Sequence, residues 1–344
     1  MYIGIDGIAR LISKLYIGIN GIAREITKMY IGVDGLARLI YQAGVAAGEV
    51  VFTSSKSWTV PAGVSKVDIF CVGGGGGAGG WYFRYNESNS AGSYTDTTKN
   101  GGSGGGGYTT TALAVAVTPG ETLTITVGAG GDRGESYEYY KSYGETAQHW
   151  GSVTSSGDIT AGATGGQSSV KNSSGTVLCS ANGGSGGAKA TTGTSSGASY
   201  VSAGGAGGSG GGTSTGCYYV FNGSQGDITT HRSWFSAGGS TDIYRAVDGE
   251  SGPSTEYYSA SSDSTPNVYS KGGTGQGTTT RYFAQSGGTL YGSGGTQPYD
   301  ATKVSIGYGP WANTGHGGGY VWYDGWTGGS AGSSGVVIIR WAAQ

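Results

Sequence analysis

The side chains able to move protons or hold a metal are few in this 344-residue chain: three histidines, His149, His231 and His316, and 21 Asp and Glu. The histidines stand far apart, and none has a Cys, an Asp or a second His at ligand spacing, so no local metal motif is present. Serine is abundant, yet no G-x-S-x-G elbow sits between a strand and a helix. KGGTGQGT (271–278) has a loose G-x-G pattern but lacks the strand before it and the helix after it that a nucleotide fingerprint needs. Acids for sugar hydrolysis would come from Glu135, Glu138, Glu256 and Asp324, the carboxylates set among aromatic residues. Spacing does not pair them. The expectation is a non-enzymatic protein with no metal and no cofactor.

Recognition chemistry is far better represented. Segments 81–100, 132–150, 217–235, 254–271, 280–285 and 320–329 are rich in Tyr, Trp, Ser, Gly and Asn. That is the vocabulary of antibody paratopes, where Tyr and Trp give large amphipathic contact area at low entropic cost and small polar residues adapt around them. Read as long loops, these segments supply the candidate contact residues Tyr82, Phe83, Tyr85, Tyr137, Tyr139, Tyr140, Trp150, Tyr218, Tyr219, Phe221, Trp234, Phe235, Tyr257, Tyr258, Tyr320, Trp322, Tyr323 and Trp326. Sugar rings and protein side chains both settle on such surfaces. The competing reading makes many of these aromatics caps over a core short of aliphatic groups. Trp58 and Trp341 lie beside apolar strands and go to the core under both readings.

Glycine must position them. Of 344 residues 75 are Gly, in runs such as VGGGGGAGG (72–80), GGSGGGG (101–107), SAGGAGGSGGG (202–212) and GHGGGY (315–320). Extended glycine segments can take a three-per-turn polyproline-II-like helix with no internal hydrogen bonds, so that every N–H and C=O points outward. Without a Cβ, such segments can pack side by side and add Cα–H···O contacts. A bundle of polyglycine-II helices would be a rigid interior made of backbone.

Around that interior the chain has β character. The group VVFTSS, SWTVPAG and KVDIFCV (66–72) is followed by YTTTALAVAVTPGETLTITVGAGG (108–131), where Leu113, Val115 and Val117 alternate with small residues, Pro119-Gly120 makes a turn and Leu123, Ile125 and Val127 alternate again, read as a hairpin with one buried face. SSVKNSSGTVLCSANGG (168–184) gives another pair around Ser174-Gly175, and the unbroken VVII of the last strand (335–341) predicts a strand covered on both sides. The fold class expected is all-β, a glycine-rich β-sandwich with bundled polyglycine-II helices and long aromatic loops over residues 49–344.

Ahead of it, after a linker at 43–48, residues 1–42 hold one 14-residue unit three times: YIGIDGIARLISK, YIGINGIAREITK and YIGVDGLARLIYQ. Asp6-Gly7, Asn20-Gly21 and Asp34-Gly35 fall between short apolar arms, the signal for two-residue hairpin turns. Short helices capped by the same Asp or Asn are the alternative. A unit this small buries no face alone, so the segment reads as a docking or assembly module.

With 19 basic against 21 acidic residues, net charge −2, there is no field for nucleic acid. No apolar run is long enough for membrane insertion, and Asp6 and Arg10 interrupt the N-terminus where a signal peptide would be apolar. Cys71, Cys179 and Cys217 lack CxxC spacing and read as buried free thiols, with a Cys179–Cys217 bridge as the alternative.

The ordered set from Trp58 through VPAGVSKVDIFCVGGGGGAGG, GGGGYTTTALAVAVTPGETLTITVGAGG, GGQSSV and VLCSANGGSGG to GVVIIRW resembles the glycine-rich domain at the distal part of bacteriophage and prophage tail proteins. The Y-[IV]-G-[IV]-[DN]-G-[IL]-A-R repeats are similar to short repeats ahead of such domains. More loosely, the glycine runs resemble those of phage tail-tip adhesins that present variable loops on polyglycine-II helices, from which the repeats are a departure. The resemblance implies a receptor-binding component of the virion tail, made in the bacterial cytoplasm without a signal peptide and facing the host outside the cell. Its partners would be a host surface glycan or surface protein, and other tail or baseplate proteins held through residues 1–42. A homotrimer is the implied oligomer. A tail-associated polysaccharide depolymerase and a purely structural glycine-rich fibre protein are the competing functions.

Overall fold

The computed structural model describes residues 44–87, 94–99, 101–141, 144, 148–149, 159–190, 207, 216–221, 232–235, 280–295, 313–323 and 326–344, together with strands in the first 42 residues. Those strands are β1 (Tyr2–Ile5), β2 (Ile8–Leu11), β3 (Tyr16–Ile19), β4 (Ile22–Glu25), β5 (Lys28–Val33) and β6 (Leu36–Gln42). They pair antiparallel two by two, with Ile5 opposite Ile8, Ile19 opposite Ile22 and Val33 opposite Leu36. The intervening Asp6, Gly7, Asn20, Gly21, Asp34 and Gly35 lie outside the described residues. Ile17 and Ile22 of the second unit are exposed.

The remaining strands are β7 (Gly48–Phe52), β8 (Lys56–Thr59), β9 (Lys66–Val72), β10 (Tyr82–Glu87), β11 (Tyr94–Lys99), β12 (Thr109–Ala116), β13 (Thr122–Thr126), β14 (Tyr137–Lys141), β15 (Gln148–His149), β16 (Ser168–Lys171) and β17 (Val177–Ala181). After them come β18 (Gly216–Phe221), β19 (Arg232–Phe235), β20 (Tyr320–Tyr323), β21 (Trp326–Gly329) and β22 (Val336–Trp341). The described residues are all-β apart from one 3₁₀ turn at Tyr282–Ala284.

Two antiparallel sheets, ordered β12-β9-β22-β7 and β17-β16-β13-β8, enclose the aliphatic core. Val67, Ile69 and Cys71 alternate along β9 and meet Leu123 and Ile125 of β13, Val170 of β16, Cys179 of β17 and Val337 and Ile339 of β22. Trp58 and Trp341 pack against this core with ring centroids 5.9 Å apart. The other face of β9 and β22, with Phe70, Val72, Val336 and Ile338, is covered by Phe283, Tyr282 and Tyr291. The VVII strand is thus buried on both sides. The Arg340 guanidinium sits 3.8 Å from the Phe283 ring centroid, a cation–π contact closing that cover. Cys71 and Cys179 are free thiols from opposite sheets, and their mutual hydrogen bond, with burial, pushes Cys71 up from its ordinary range.

The 168–184 pair forms as its turn signal predicts, with Gly175 at φ 85°. The 108–131 hairpin does not form. β12 pairs with β9 and β13 pairs with β8 and β16, so the turn at Pro119-Gly120 carries the chain from one sheet to the other. Leu113 is 62% exposed because a bulge between Ala112 and Val115 breaks the alternation. Ala114 takes φ 52° there and donates its N–H to Asp68 Oδ1 at 2.8 Å. Asp68 Oδ2 also accepts from Arg340 Nε at 3.1 Å.

Between the sandwich and the aromatic segments lies an interior of glycine backbone. Residues 73–80 donate in rotation to three neighbours: Gly74, Gly77 and Gly80 to the carbonyls of Gly166, Ala163 and Thr160; Gly75 and Ala78 to Ser333 and Ser330; Gly73, Gly76 and Gly79 to Tyr108, Gly105 and Gly102. Three further segments donate back: Gly131 and Gly134 to Gly75 and Ala78; Gly184, Gly187 and Ala190 to Gly74, Gly77 and Gly80; Gly318 to Gly76. Six segments thus surround 73–80, and bonds to each of the five that make more than one recur every third residue. A Cβ built on Gly74, Gly75, Gly76, Gly77 or Gly79 would land on the carbonyl oxygen of Ala129, His316, Ser185, Asp132 or Ala188 respectively. The Cα–H groups therefore face carbonyls, and only glycine fits.

Two outcomes follow from these contacts. Gly77→Ala should destabilise the chain by about 3 kcal/mol, since backbone on both sides must move, whereas Gly120→Ala, with open space but φ 82°, should cost only about 1–2 kcal/mol; urea unfolding midpoints compare them. Asp68→Ala should cost about 1 kcal/mol by removing its bonds to the solvent-accessible Ala114 N–H and Arg340, read in the same way.

Candidate functional site

The glycine segments continue directly into aromatic strands. Residues 73–80 run into β10, 128–135 run into β14, and β11 is followed by 102–108. The strands form one sheet ordered β15-β14-β10-β11-β18-β19. β10 and β14 are parallel because both leave the bundle in the same direction, while the remaining pairs are antiparallel. At the seam, Tyr137 N–H donates to the Trp81 carbonyl at 2.8 Å and Trp81 N–H to Ser136 Oγ at 3.2 Å. Trp81 packs on Ala78, the one residue of 73–80 other than glycine. Tyr82, 8% exposed, stacks on Tyr137 at 5.2 Å between centroids and rests on Ile159 and Ala190, the ends of two bundle segments.

Register assigns the candidate contact residues to two faces. Tyr82, Tyr137, Tyr139, Tyr218 and Phe235 share one face, the face whose Tyr82 end is tied to the bundle. Phe83, Tyr85, Tyr140, Tyr219, Phe221 and Trp234 share the opposite face. A separate hairpin, β20–β21, holds Tyr320, Trp322, Tyr323 and Trp326, with Tyr323 opposite Trp326. Its strands lead from 315–319 and into 330–335, which are themselves bundle segments. Trp150, Tyr257 and Tyr258 lie outside the described residues.

The long aromatic loops expected from sequence are thus corrected to strands in the described parts of 81–100, 137–149, 217–235 and 320–329, and to a 3₁₀ turn covering the sandwich at Tyr282–Ala284. Tyr, Phe, Trp and Thr fit a pleated surface, and strand pairing satisfies backbone groups that glycine neighbours satisfy lower down. A readable signal was present at Asp324-Gly325, between YVWY and WTGG, the same dipeptide that marks the N-terminal units.

The chain matches the family model of the glycine-rich domain over residues 51–342. It belongs to that family. A comparison with curated proteins gives no match.

Of the groups that could do chemistry, His316 lies in the bundle rather than at the aromatic sheet. Its backbone N–H donates to Ser333 Oγ at 2.6 Å and its Nδ1 lies 2.8 Å from the Gly317 carbonyl. Desolvation lowers its pKa below the usual 6.5, with the Gly317 contact opposing. Glu135 is exposed beside the seam, its backbone N–H bonded to Thr160 Oγ1 at 2.8 Å. Glu138 is on β14, and Glu256 and Asp324 lie outside the described residues. Among the described residues no group of three His, Cys, Asp or Glu could hold a metal.

A lowered His316 pKa means that the unfolded chain takes up a proton before the folded one as pH falls through about 6.5. Stability should therefore be full above that value and decline as the pH falls below it. The measurement is the urea midpoint across that range for the native chain and for His316→Gln, whose profile should be flatter.

Proposed function

We propose that this glycine-rich protein is a non-enzymatic receptor-binding component of a bacteriophage or prophage tail, an adhesin for a host surface glycan or surface protein. The glycine segments are polyglycine-II helices in this reading, and the period of three in their hydrogen bonds supports it. The observation that carries the function is continuity: the backbone bundle runs without a linker into a sheet and a hairpin dense in Tyr, Phe and Trp. At about 3.1 Å per residue, 73–80 would hold those strands roughly 25 Å from the sandwich. Rigid presentation lowers the entropic cost of binding, because contact residues are ordered before the receptor arrives.

Residues 1–42 serve as the module that joins other tail or baseplate proteins, and several copies on one particle, a homotrimer in the simplest case, would turn weak contacts into avidity. The apolar Ile17 and Ile22, exposed on a two-stranded unit, suit such a joint.

The test is binding of the labelled full chain to a panel of candidate host bacteria. Tyr139→Ala, Trp234→Ala and Trp326→Ala place one truncation on each sheet face and one on the hairpin. At least one should weaken cell binding about tenfold, the effect of losing a contact worth about 1.4 kcal/mol. Equal binding by the native chain and all three variants would remove the aromatic contact role. Release of new reducing ends from purified surface polysaccharide would replace the adhesin by a depolymerase.

A further inference from the structure

The register of the aromatic sheet also sorts its charges. Among the described residues, the face that includes Tyr82 and Tyr137 holds Arg84, Lys99, Lys141 and His149, and the opposite face holds the acids Glu87, Asp96 and Glu138 and the base Arg232. The acids are interleaved with aromatic positions. Across the strands one row reads Tyr140, Tyr85, Asp96, Tyr219 and Arg232, each opposite the next. Two residues along β10 in one direction Glu138 is opposite Phe83, and two residues in the other Glu87 is opposite Tyr94. With strands about 4.8 Å apart, Tyr140 to Tyr219 covers roughly 14 Å, and adjacent rows are about 7 Å apart.

We propose that this acidic and aromatic face binds a glycan that carries free amino groups. The choice of ligand rests on sign and shape together. Aromatic rings take the apolar C–H faces of pyranoses. Neutral sugars would bring no charge to the three acidic positions, and phosphorylated or uronic acid polymers would be repelled. Hexosamine units with unmodified ammonium groups supply both requirements: a ring for Tyr85, Tyr140 or Tyr219, and a cation for Asp96, Glu87 or Glu138. Arg232 lies two strands from Asp96 at the end of the row, and it leaves the acids in excess. This inference rests on the adhesin reading and names the ligand class of its contact surface.

The experiment uses the full chain and two probes, the hexamer of β-1,4-linked glucosamine and its fully N-acetylated counterpart, with titration calorimetry as the readout. The glucosamine hexamer should bind at least about tenfold more tightly, and its affinity should fall as NaCl rises from about 50 to about 500 mM. Asp96→Asn combined with Glu138→Gln should weaken it at least about tenfold, while Lys99→Gln combined with Lys141→Gln on the other face should change it less than about twofold. Unfolding midpoints matched to the native chain confirm that the near-isosteric variants fold. Equal or tighter binding of the acetylated hexamer, no binding of either probe, or indifference to the acidic pair would overturn the inference. If the chain and its acidic-pair variant bind host cells equally, or a host protein rather than a glycan is captured, the inference fails while the adhesin reading stands. Acid-dependent hexamer binding without any cell binding leaves the inference in place and removes the adhesin.

Discussion

Hydrogen bonding between backbones that carry no side chains is the constraint from which this architecture follows. Each residue of 73–80 has its N–H satisfied by a different chain segment in turn, and the carbonyls of Gly74, Gly75, Gly76, Gly77, Ala78 and Gly80 accept from three others. Close approach on all sides is possible only because the Cα–H groups point at carbonyls where a Cβ would collide. Composition then ceases to be puzzling. Burial is achieved by peptide groups rather than by aliphatic side chains, so the conventional core can be confined to the sandwich. The one alanine in the central segment, Ala78, stands where its methyl group meets Trp81.

The sandwich fixes where each bundle segment begins. β9, β13 and β17 hand the chain outward to 73–80, 128–135 and 182–190, whereas 102–108, 160–166 and 330–335 bring it back to β12, β16 and β22. Outward segments donate to 73–80 and returning segments accept from it, so direction and hydrogen-bond sense are coupled around the central segment. β9 and β22 anchor this arrangement because both of their faces are buried, one in the sandwich core and one under Phe283, Tyr282 and Tyr291. Strands from near both ends of the chain must meet before any of this closes, which makes the topology non-local and its folding slow.

Much of the sandwich was legible because its signals are local. The β character of KVDIFCV, the Ser174-Gly175 turn and the unbroken VVII each describe a property of one strand, and each strand has that property. Sheet membership is not local. Leu113, Val115 and Val117 alternate before Pro119-Gly120 as a hairpin would, yet β12 and β13 take partners in different sheets. Nothing within 111–127 reveals Asp68, which comes from β9 to accept the Ala114 N–H and turn Leu113 outward. The aromatic segments were legible by composition but not as strands, because their pairing depends on where the glycine segments deliver them.

That delivery separates the demands made on the two halves of each aromatic strand. Tyr82 and Tyr137 are committed to the bundle, stacked on each other over Ile159 and Ala190, and their backbones are tied in through Trp81 and its neighbours. Positions farther along, such as Tyr85 and Tyr140, take their register from the seam. Parity adds the second rule: in a strand, moving a residue by one position transfers it to the other face. The seam therefore determines which aromatic and which charged residues stand together, and it does so through Tyr82, whose contact with the bundle sets the face for every residue that follows.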